Sequence, residues 1–306
     1  MVERLVANEK VEGSTPFARS NIYMILWIAS YPKSGNTWLR ALLSSYFYTK
    51  DGTFSNDKIL NKIGQFPEKK YFTSFNYNPA LPGDISRLWI DAQNKINSDN
   101  KVRFFKTHNA LAKLDNNNFT DNKNSLACIY IVRDPRNVVS SLSHHFEMSV
   151  EDSLNFMTNE KKFTYDYFKK NDYSDFQFIS SWEKNYKSWK NNKIIPIKFI
   201  KYEDLINQTY FIFKDIIKFV NEVIKNQNKF DKQKAQNSIN STSFEKLKKY
   251  EETKGFEESV ISKMNKKKIP FFHLGPQNNW KNNFDQNFQN KLNQTFEENL
   301  MELGYN

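Results

Sequence analysis

Between an apolar stretch and an amphipathic one, the chain reads Ser30-Tyr31-Pro32-Lys33-Ser34-Gly35-Asn36-Thr37-Trp38-Leu39. That order can hold an anion. A helix that starts just after a strand offers free N–H groups and the positive end of its dipole. Gly35 lets the backbone approach an oxyanion closely. Ser34, Asn36 and Thr37 add side-chain donors, and Lys33 adds a full charge at the mouth. The Gly-x-x-x-x-Gly-Lys-Ser/Thr loop of magnesium-dependent nucleotide hydrolysis is absent, because the lysine precedes the glycine and the loop is shorter. The plain alternative is an ordinary capped turn, since helix starts recruit Ser, Asn and Thr.

Other chemistry-bearing residues follow at intervals. His108 ends the segment Phe105-Lys106-Thr107-His108, and an imidazole with an ordinary pKa near 6.5 suits proton transfer at neutral pH. Its alternative is a surface histidine. Arg133 ends Ile129-Tyr130-Ile131-Val132, and Ser141 lies eight residues on. A guanidinium fork can pair two phosphate oxygens while a helix hydroxyl supplies a third donor. Ser140 reads as packing and Arg136 as a solvated helix residue. His144-His145 point about 100° apart on a helix and make a poor chelating pair. No His/Cys/Asp/Glu cluster has metal-ligand spacing, so no metal is expected.

These residues need elements to position them. Met24–Tyr31, Lys101–Thr107, Ala127–Arg133 and Ile194–Lys201 read as buried strands. Asn36–Tyr48 has helical periodicity through Leu39, Leu42, Leu43, Tyr46 and Phe47. Further helices are expected from Pro135 or Arg136 to Phe146, within Asn207–Ile224, near Ile239–Glu252 and over Asp285–Leu303. The fold class is therefore α/β: a single domain whose central, mostly parallel sheet is flanked by helices, with a P-loop-like turn after the first strand. Ligands of such sheets bind at the carboxyl ends of the strands. Residues 1–23 differ in composition and are expected to be a flexible or non-native extension ahead of a domain spanning 24–306.

Composition sets outer limits. In 306 residues, 39% hydrophobic and 26% charged content exclude disorder throughout, and 8 Gly, 9 Pro and 1 Cys exclude collagen-like or disulfide-stapled folds. The lone Cys128 fits a reducing compartment, and no apolar run approaches the ~18 residues of a membrane span. The cytoplasm is the expected location. A net charge of +11 asks for an acidic partner or reflects compositional drift, and cannot choose between them.

The motifs also carry a resemblance. Tyr31-Pro32-Lys33-Ser34-Gly35-Asn36-Thr37-Trp38 resembles the phosphosulfate-binding loop of the sulfotransferases that use 3′-phosphoadenylyl sulfate (PAPS), whose pattern is Tyr-Pro-Lys-Ser-Gly-Thr-Thr-Trp. Lys106-Thr107-His108 is similar to the family's catalytic-base motif, and Arg133 with Ser141 to its 3′-phosphate element. Lys201-Tyr202-Glu203-Asp204-Leu205 and Thr242-Ser243-Phe244 resemble its Tyr-Glu-Asp-Leu and Thr-Ser-Phe motifs. The resemblance implies transfer of a sulfuryl group from PAPS to an acceptor hydroxyl or amine, without metal. His108 is then the base, Lys33 stabilises the leaving phosphate, and Lys106 helps hold the sulfonate. Ser34, Gly35, Asn36, Thr37, Arg133, Ser141 and Gly275 bind the donor's anionic groups. Trp38, Tyr202, Thr242 and Phe244 form its base slot.

The sequence also departs from the pattern. The family's Arg-Lys-Gly becomes His273-Leu274-Gly275, with Trp280 and Lys281 retained. His273, backbone N–H groups near Gly275, or Lys266, Lys267 and Lys268 are the candidates to replace the missing cations. The Lys-x-x-x-Thr-Val-x-x-x-Glu dimer segment of animal relatives is absent after Trp280, so no oligomeric state carries over. The expected acceptor is a small molecule, glycan or lipid, bound by the aromatic-rich segments Lys50–Asn100 and Glu151–Trp189 unless those aromatics are simple core. Two other functions compete: a nucleotide or small-molecule kinase with a degenerate phosphate loop, and a basic nucleic-acid-binding protein. The second gives no reason for the ordered motifs, and nucleic acid is not an expected partner.

Overall fold

The computed structural model describes residues 24–165, 169, 171–262 and 264–305. Residues 1–23, expected to be an extension, and the aromatic Tyr167 and Phe168 lie outside the described residues. Among the described residues, five strands run parallel in one sheet: β1 (Ile25–Ala29), β2 (Gly64–Gln65), β3 (Arg103–Thr107), β4 (Ser125–Val132) and β5 (Ile197–Lys201). Their spatial order is β2-β3-β1-β4-β5. From β1 the chain crosses to the edge strand β2, returns through β3 beside β1, and then places β4 on the other side of β1. The strand order therefore reverses at β1, and a crevice opens there at the carboxyl ends.

The strands form because both faces of the sheet are covered. Trp27, Ala29, Phe105, Cys128 and Tyr130 pack on one face. Leu26, Ile28, Phe104, Ala127 and Ile129 pack on the other. Continuous apolar strands of this kind are what a parallel sheet covered by helices requires. On one face lie α1 (Asn36–Tyr48) and α3 (Thr209–Val223), through Leu39, Leu42, Phe213 and Ile216. The start of α2 (Pro135–Phe146) is set by Asp134, whose carboxylate accepts from the Arg136 amide at 2.9 Å, with Pro135 in the first turn.

One expectation changes and one open choice closes. The late helical stretch is two helices, α4 (Lys232–Ser241) and α5 (Phe244–Lys254), broken at Thr242-Ser243, where the Ser243 hydroxyl caps α5 by accepting from the Lys246 amide. The aromatics of Lys50–Asn100 are core: Phe66, Phe72 and Trp89 are fully buried against the sheet. Trp182 is likewise buried. The expected terminal helix forms as α6 (Gln286–Leu303), capped by Asp285. No helix of the described residues is long and apolar enough to cross a membrane.

Candidate functional site

The sheet's register brings the motif residues together. Ala29 of β1 pairs with Thr107 of β3 and Tyr130 of β4, and Val132 of β4 pairs with Lys201 of β5. Lys33, His108, Arg133 and Tyr202 therefore leave the sheet at the same end. A cavity of about 550 Å³ opens there. It is lined by Lys33, Gly35, Asn36, Thr37, Trp38, Lys106, His108, Arg133, Ser141, Tyr202, Phe244 and Gly275.

The turn after β1 is held open by its own backbone. Lys33 has φ +66° and Gly35 φ +99°, both left-handed. A Cβ at Gly35 would meet the Tyr202 ring at 2.5 Å, so only glycine lets the turn and ring close together. No side chain caps α1, which leaves its first-turn amides for an anion. The Asn36 side-chain amide donates to the Ile28 carbonyl at 3.1 Å and to the Ser30 hydroxyl at 3.2 Å, tying the turn to the strand. Ser34 lies beneath the turn rather than on the cavity wall.

Burial disfavours the charged form of both lysines. The Lys33 ammonium sits 3.2 Å from His145 Nδ1 and 4.2 Å above the centre of the Phe271 ring. Burial lowers its pKa to about 7. Lys106 is also lowered by burial, against the opposing pull of Glu258. Glu258 was not anticipated from sequence. Its carboxylate accepts from Thr37 Oγ1 at 2.7 Å, Arg40 Nη1 at 2.5 Å and Lys106 Nζ at 3.0 Å. Burial pushes its pKa up, but Lys106 and Arg40 outweigh this and hold it well below the usual carboxylate range.

His108 has a fixed tautomer. Its Nδ1 lies 2.8 Å from the Ser30 carbonyl oxygen. A carbonyl only accepts, so Nδ1 carries the proton and the neutral ring keeps its lone pair on Nε2. Gln177 accepts from the His108 amide at 2.6 Å and Asn185 donates to its carbonyl at 2.9 Å, which anchors the residue at the end of β3. Burial first, then the Lys106 charge, lower its pKa to about 4.

Arg133 donates to the Lys33 carbonyl at 3.2 Å and to the Gly275 carbonyl at 3.4 Å, and its guanidinium lies 4.4 Å from the centre of the Tyr202 ring. His273, standing where the resembled pattern has arginine, stacks on His144 at 3.8 Å, while His145 faces Lys33. The adjacent histidines thus point apart, as helix geometry requires. Lys266, Lys267 and Lys268 are exposed and contribute nothing to the wall. A Cβ at Gly275 would meet the Phe244 ring at 2.2 Å, which brings the two together as one surface. Trp38 and Tyr202 meet edge to face at 6.0 Å. Thr242, expected in the base slot, is buried and does not reach the wall, its hydroxyl donating to the Ser238 carbonyl at 2.8 Å. From the segments expected to hold the acceptor, Thr164 alone among the described residues reaches the wall, where Phe146 and Phe271 also stand.

Sequence reasoning missed Glu258, Arg40, His145 and Phe271. Arg40 left one signal, a charge three residues after Thr37 on the buried face of α1. The others sit in no motif.

A parallel sheet with an anion cradle at its switch point, two lysines and a histidine with a free ring nitrogen defines a group-transfer enzyme for an anionic group. The model of the Sulfotransferase domain matches residues 25–304, and the chain belongs to that family. It is a sulfotransferase, and the kinase reading is set aside. Sulfotransferase 1E1 of Homo sapiens is 25% identical over 280 residues, covering 90% of this chain and 84% of the relative. Flavonol 3-sulfotransferase of Flaveria bidentis is 24% identical over 285 residues, covering 91% and 82%. A crystal structure of retinol dehydratase in complex with androsterone and inactive cofactor PAP superposes with TM-score 0.50 at 16% identity, covering 90% of this chain and 80% of that one, a likeness of fold.

Proposed function

We propose that the protein transfers the sulfuryl group of PAPS to a hydroxyl or amine of a small acceptor, with a glycan or lipid headgroup included in that class, in the cytoplasm. One observation carries the reading: Lys33, Lys106, His108 and Arg133 converge on one cavity, with buried polar atoms beside it that have no protein partner. Those atoms are Asn36 Oδ1, Trp38 Nε1 and Arg133 Nε, all on residues that line it. Buried polar atoms are normally paired, so this set fits an absent polar ligand. PAPS supplies an activated sulfuryl group with a good leaving phosphate. Lys33 and the first-turn amides of α1 hold the charge of that phosphate. Lys106 holds the sulfonate. His108 Nε2 takes the proton of the acceptor's attacking oxygen or nitrogen. Arg133 and Ser141 take the 3′-phosphate. Trp38, Tyr202 and Phe244 give the base flat faces, at roughly 1–3 kcal/mol of stacking.

The test is thermal unfolding with adenosine 3′,5′-bisphosphate, 5′-AMP and ATP. Bisphosphate at about 100 times its Kd is expected to stabilise by about 2.7 kcal/mol, with much smaller shifts for the others. Equal shifts for all three would remove the donor assignment.

A companion expectation concerns His273. Burial, His144 and Lys248 lower its pKa below the ordinary histidine value. Protonation then sets in below about pH 6.5 and adds charge beside the proposed 3′-phosphate position, so the preference for bisphosphate over 5′-AMP should strengthen as pH falls below that value. His273→Arg should raise the preference by a charged contact, about 1.5–3 kcal/mol, and flatten its pH dependence. Calorimetric titration across that range checks both.

A further inference from the structure

Two carboxylates, Glu245 and Glu258, stand on the wall of a cavity that also carries Lys33, Lys106 and Arg133. Glu258 accepts from Thr37, Arg40 and Lys106 at once, and itself lines the cavity. Thr37 belongs to the cradle, and Lys106 lies on the wall beside His108. These donors face the place where an incoming oxyanion must sit. Glu258 is carried by the stretch between Gly255 and Gly275, whose described residues form no helix longer than one short turn. The same stretch lays Phe271 over Lys33 and brings the Pro270 carbonyl to His144 Nε2 at 3.0 Å. Both cradle lysines thus have partners from one strap.

A purely structural account makes Glu258 the counterion of buried Arg40. Arg40 already donates to the Leu60 carbonyl at 2.9 Å and the Ile63 carbonyl at 2.8 Å. That account explains one contact and leaves those to Thr37 and Lys106 over. An internal anion filling the cradle explains all three.

We propose that Glu258 is a built-in competitor for the sulfuryl donor, its carboxylate holding the anion position of the cradle and leaving it when the donor's phosphosulfate group enters. This deepens the donor reading above and rests on it for the identity of the displacing ligand. The consequence is specificity. Every anion entering the cradle must expel the same carboxylate. A free oxyanion has only its charge to do so. The nucleotide donor adds the contacts of Arg133, Ser141 and the base slot. Glu258 thereby keeps simple anions out of a strongly cationic site.

The experiment measures Kd by calorimetry for inorganic pyrophosphate, adenosine 3′,5′-bisphosphate, adenosine 3′-phosphate and 5′-AMP. The proteins are wild type, Glu258→Gln, and the double variant Arg40→Met/Glu258→Leu. The double variant removes Arg40 together with Glu258, so that the deeply buried guanidinium is not left without its carboxylate, and Lys106, which also loses that partner, keeps its place on the cavity wall. Pyrophosphate and the bisphosphate should each bind roughly ten- to a hundredfold more tightly to both variants, the scale of one lost charge-assisted hydrogen bond. Adenosine 3′-phosphate lacks the group that meets Glu258, and its Kd should not change. Unchanged or weaker pyrophosphate binding in the variants overturns the proposal, because Glu258 then assists anions rather than excluding them. An equal gain for adenosine 3′-phosphate also overturns it, by showing a general loosening. A wild type that fails to prefer bisphosphate over 5′-AMP sinks the donor reading instead, and a pyrophosphate gain still supports the competitor.

Discussion

Replacing His108 by alanine is expected to slow sulfuryl transfer by roughly 10²–10⁴-fold, the usual contribution of a positioned base, while bisphosphate affinity stays close to that of the parent. The geometry separates the two effects. The Ser30 carbonyl fixes the proton on Nδ1, so Nε2 is the only ring atom that can accept the acceptor's proton. His108→Asn keeps a side-chain amide near the position of Nδ1 but has no basic atom to replace Nε2. It should therefore lose as much as alanine, which marks the effect as proton transfer rather than positioning. Single-turnover rates beside calorimetric Kd values decide the matter. A variant that keeps near-native turnover removes His108 from the mechanism.

The pH dependence has a definite sign. Burial and Lys106 lower the His108 pKa to about 4, so the free enzyme keeps a deprotonated base well below the ordinary imidazole range. The acidic limb of kcat/KM attributable to this group should lie nearer pH 4 than pH 6.5. An anionic donor next to the ring favours its charged form, so the limb of kcat should sit higher than that of kcat/KM. The same burial sets a stability trend. Unfolded chains take up this proton near pH 6.5 and the folded protein near pH 4, so His108 lowers stability as pH falls through that window.

Much of this site was legible because its residues sit where strands end. Lys33, His108, Arg133 and Tyr202 each follow a recognisable apolar run, and a parallel sheet delivers all such ends to one edge. α1 begins and ends as the periodicity indicates, because its apolar stripe and its turn agree. Reasoning failed where function depends on contacts between distant segments. Glu258 reaches Thr37 from 221 positions away, and nothing local distinguishes it from Glu257. Thr242 shows the converse: it matches the expected motif, yet the break between α4 and α5 turns its hydroxyl back onto Ser238. The Lys50–Asn100 aromatics were undecidable in sequence, since core and acceptor wall call for the same residues, and the structure makes Phe66, Phe72 and Trp89 core. Of the many Lys and Arg behind the +11 charge, few reach the wall, and their effect is set by burial rather than by number.

Lys33→Gly is expected to leave the protein at least as stable as the parent while transfer falls by roughly 10²–10³-fold, the scale of removing one preorganised charge-stabilising group. Lys33 holds φ +66°, a left-handed conformation that costs an L-residue about 1–2 kcal/mol and a glycine nothing comparable. Glycine restores some freedom to the unfolded chain, about 0.4–1 kcal/mol against the fold, so strain relief offsets or exceeds it. The substitution also removes an ammonium whose pKa is pulled down to about 7 by burial. The same lysine is what charge stabilisation at the leaving phosphate requires. An anion entering the cradle favours the ammonium, so donor binding takes up a proton above about pH 7 and should weaken as pH rises further. In Lys33→Gly that proton uptake disappears. Calorimetry in two buffers of different ionisation enthalpy reads it directly, beside melting curves and turnover. Strain is tolerated at this position because the backbone turn that builds the cradle and the charge that serves it meet in one residue. A variant that loses stability and keeps its activity would show that Lys33 serves the fold and not the chemistry.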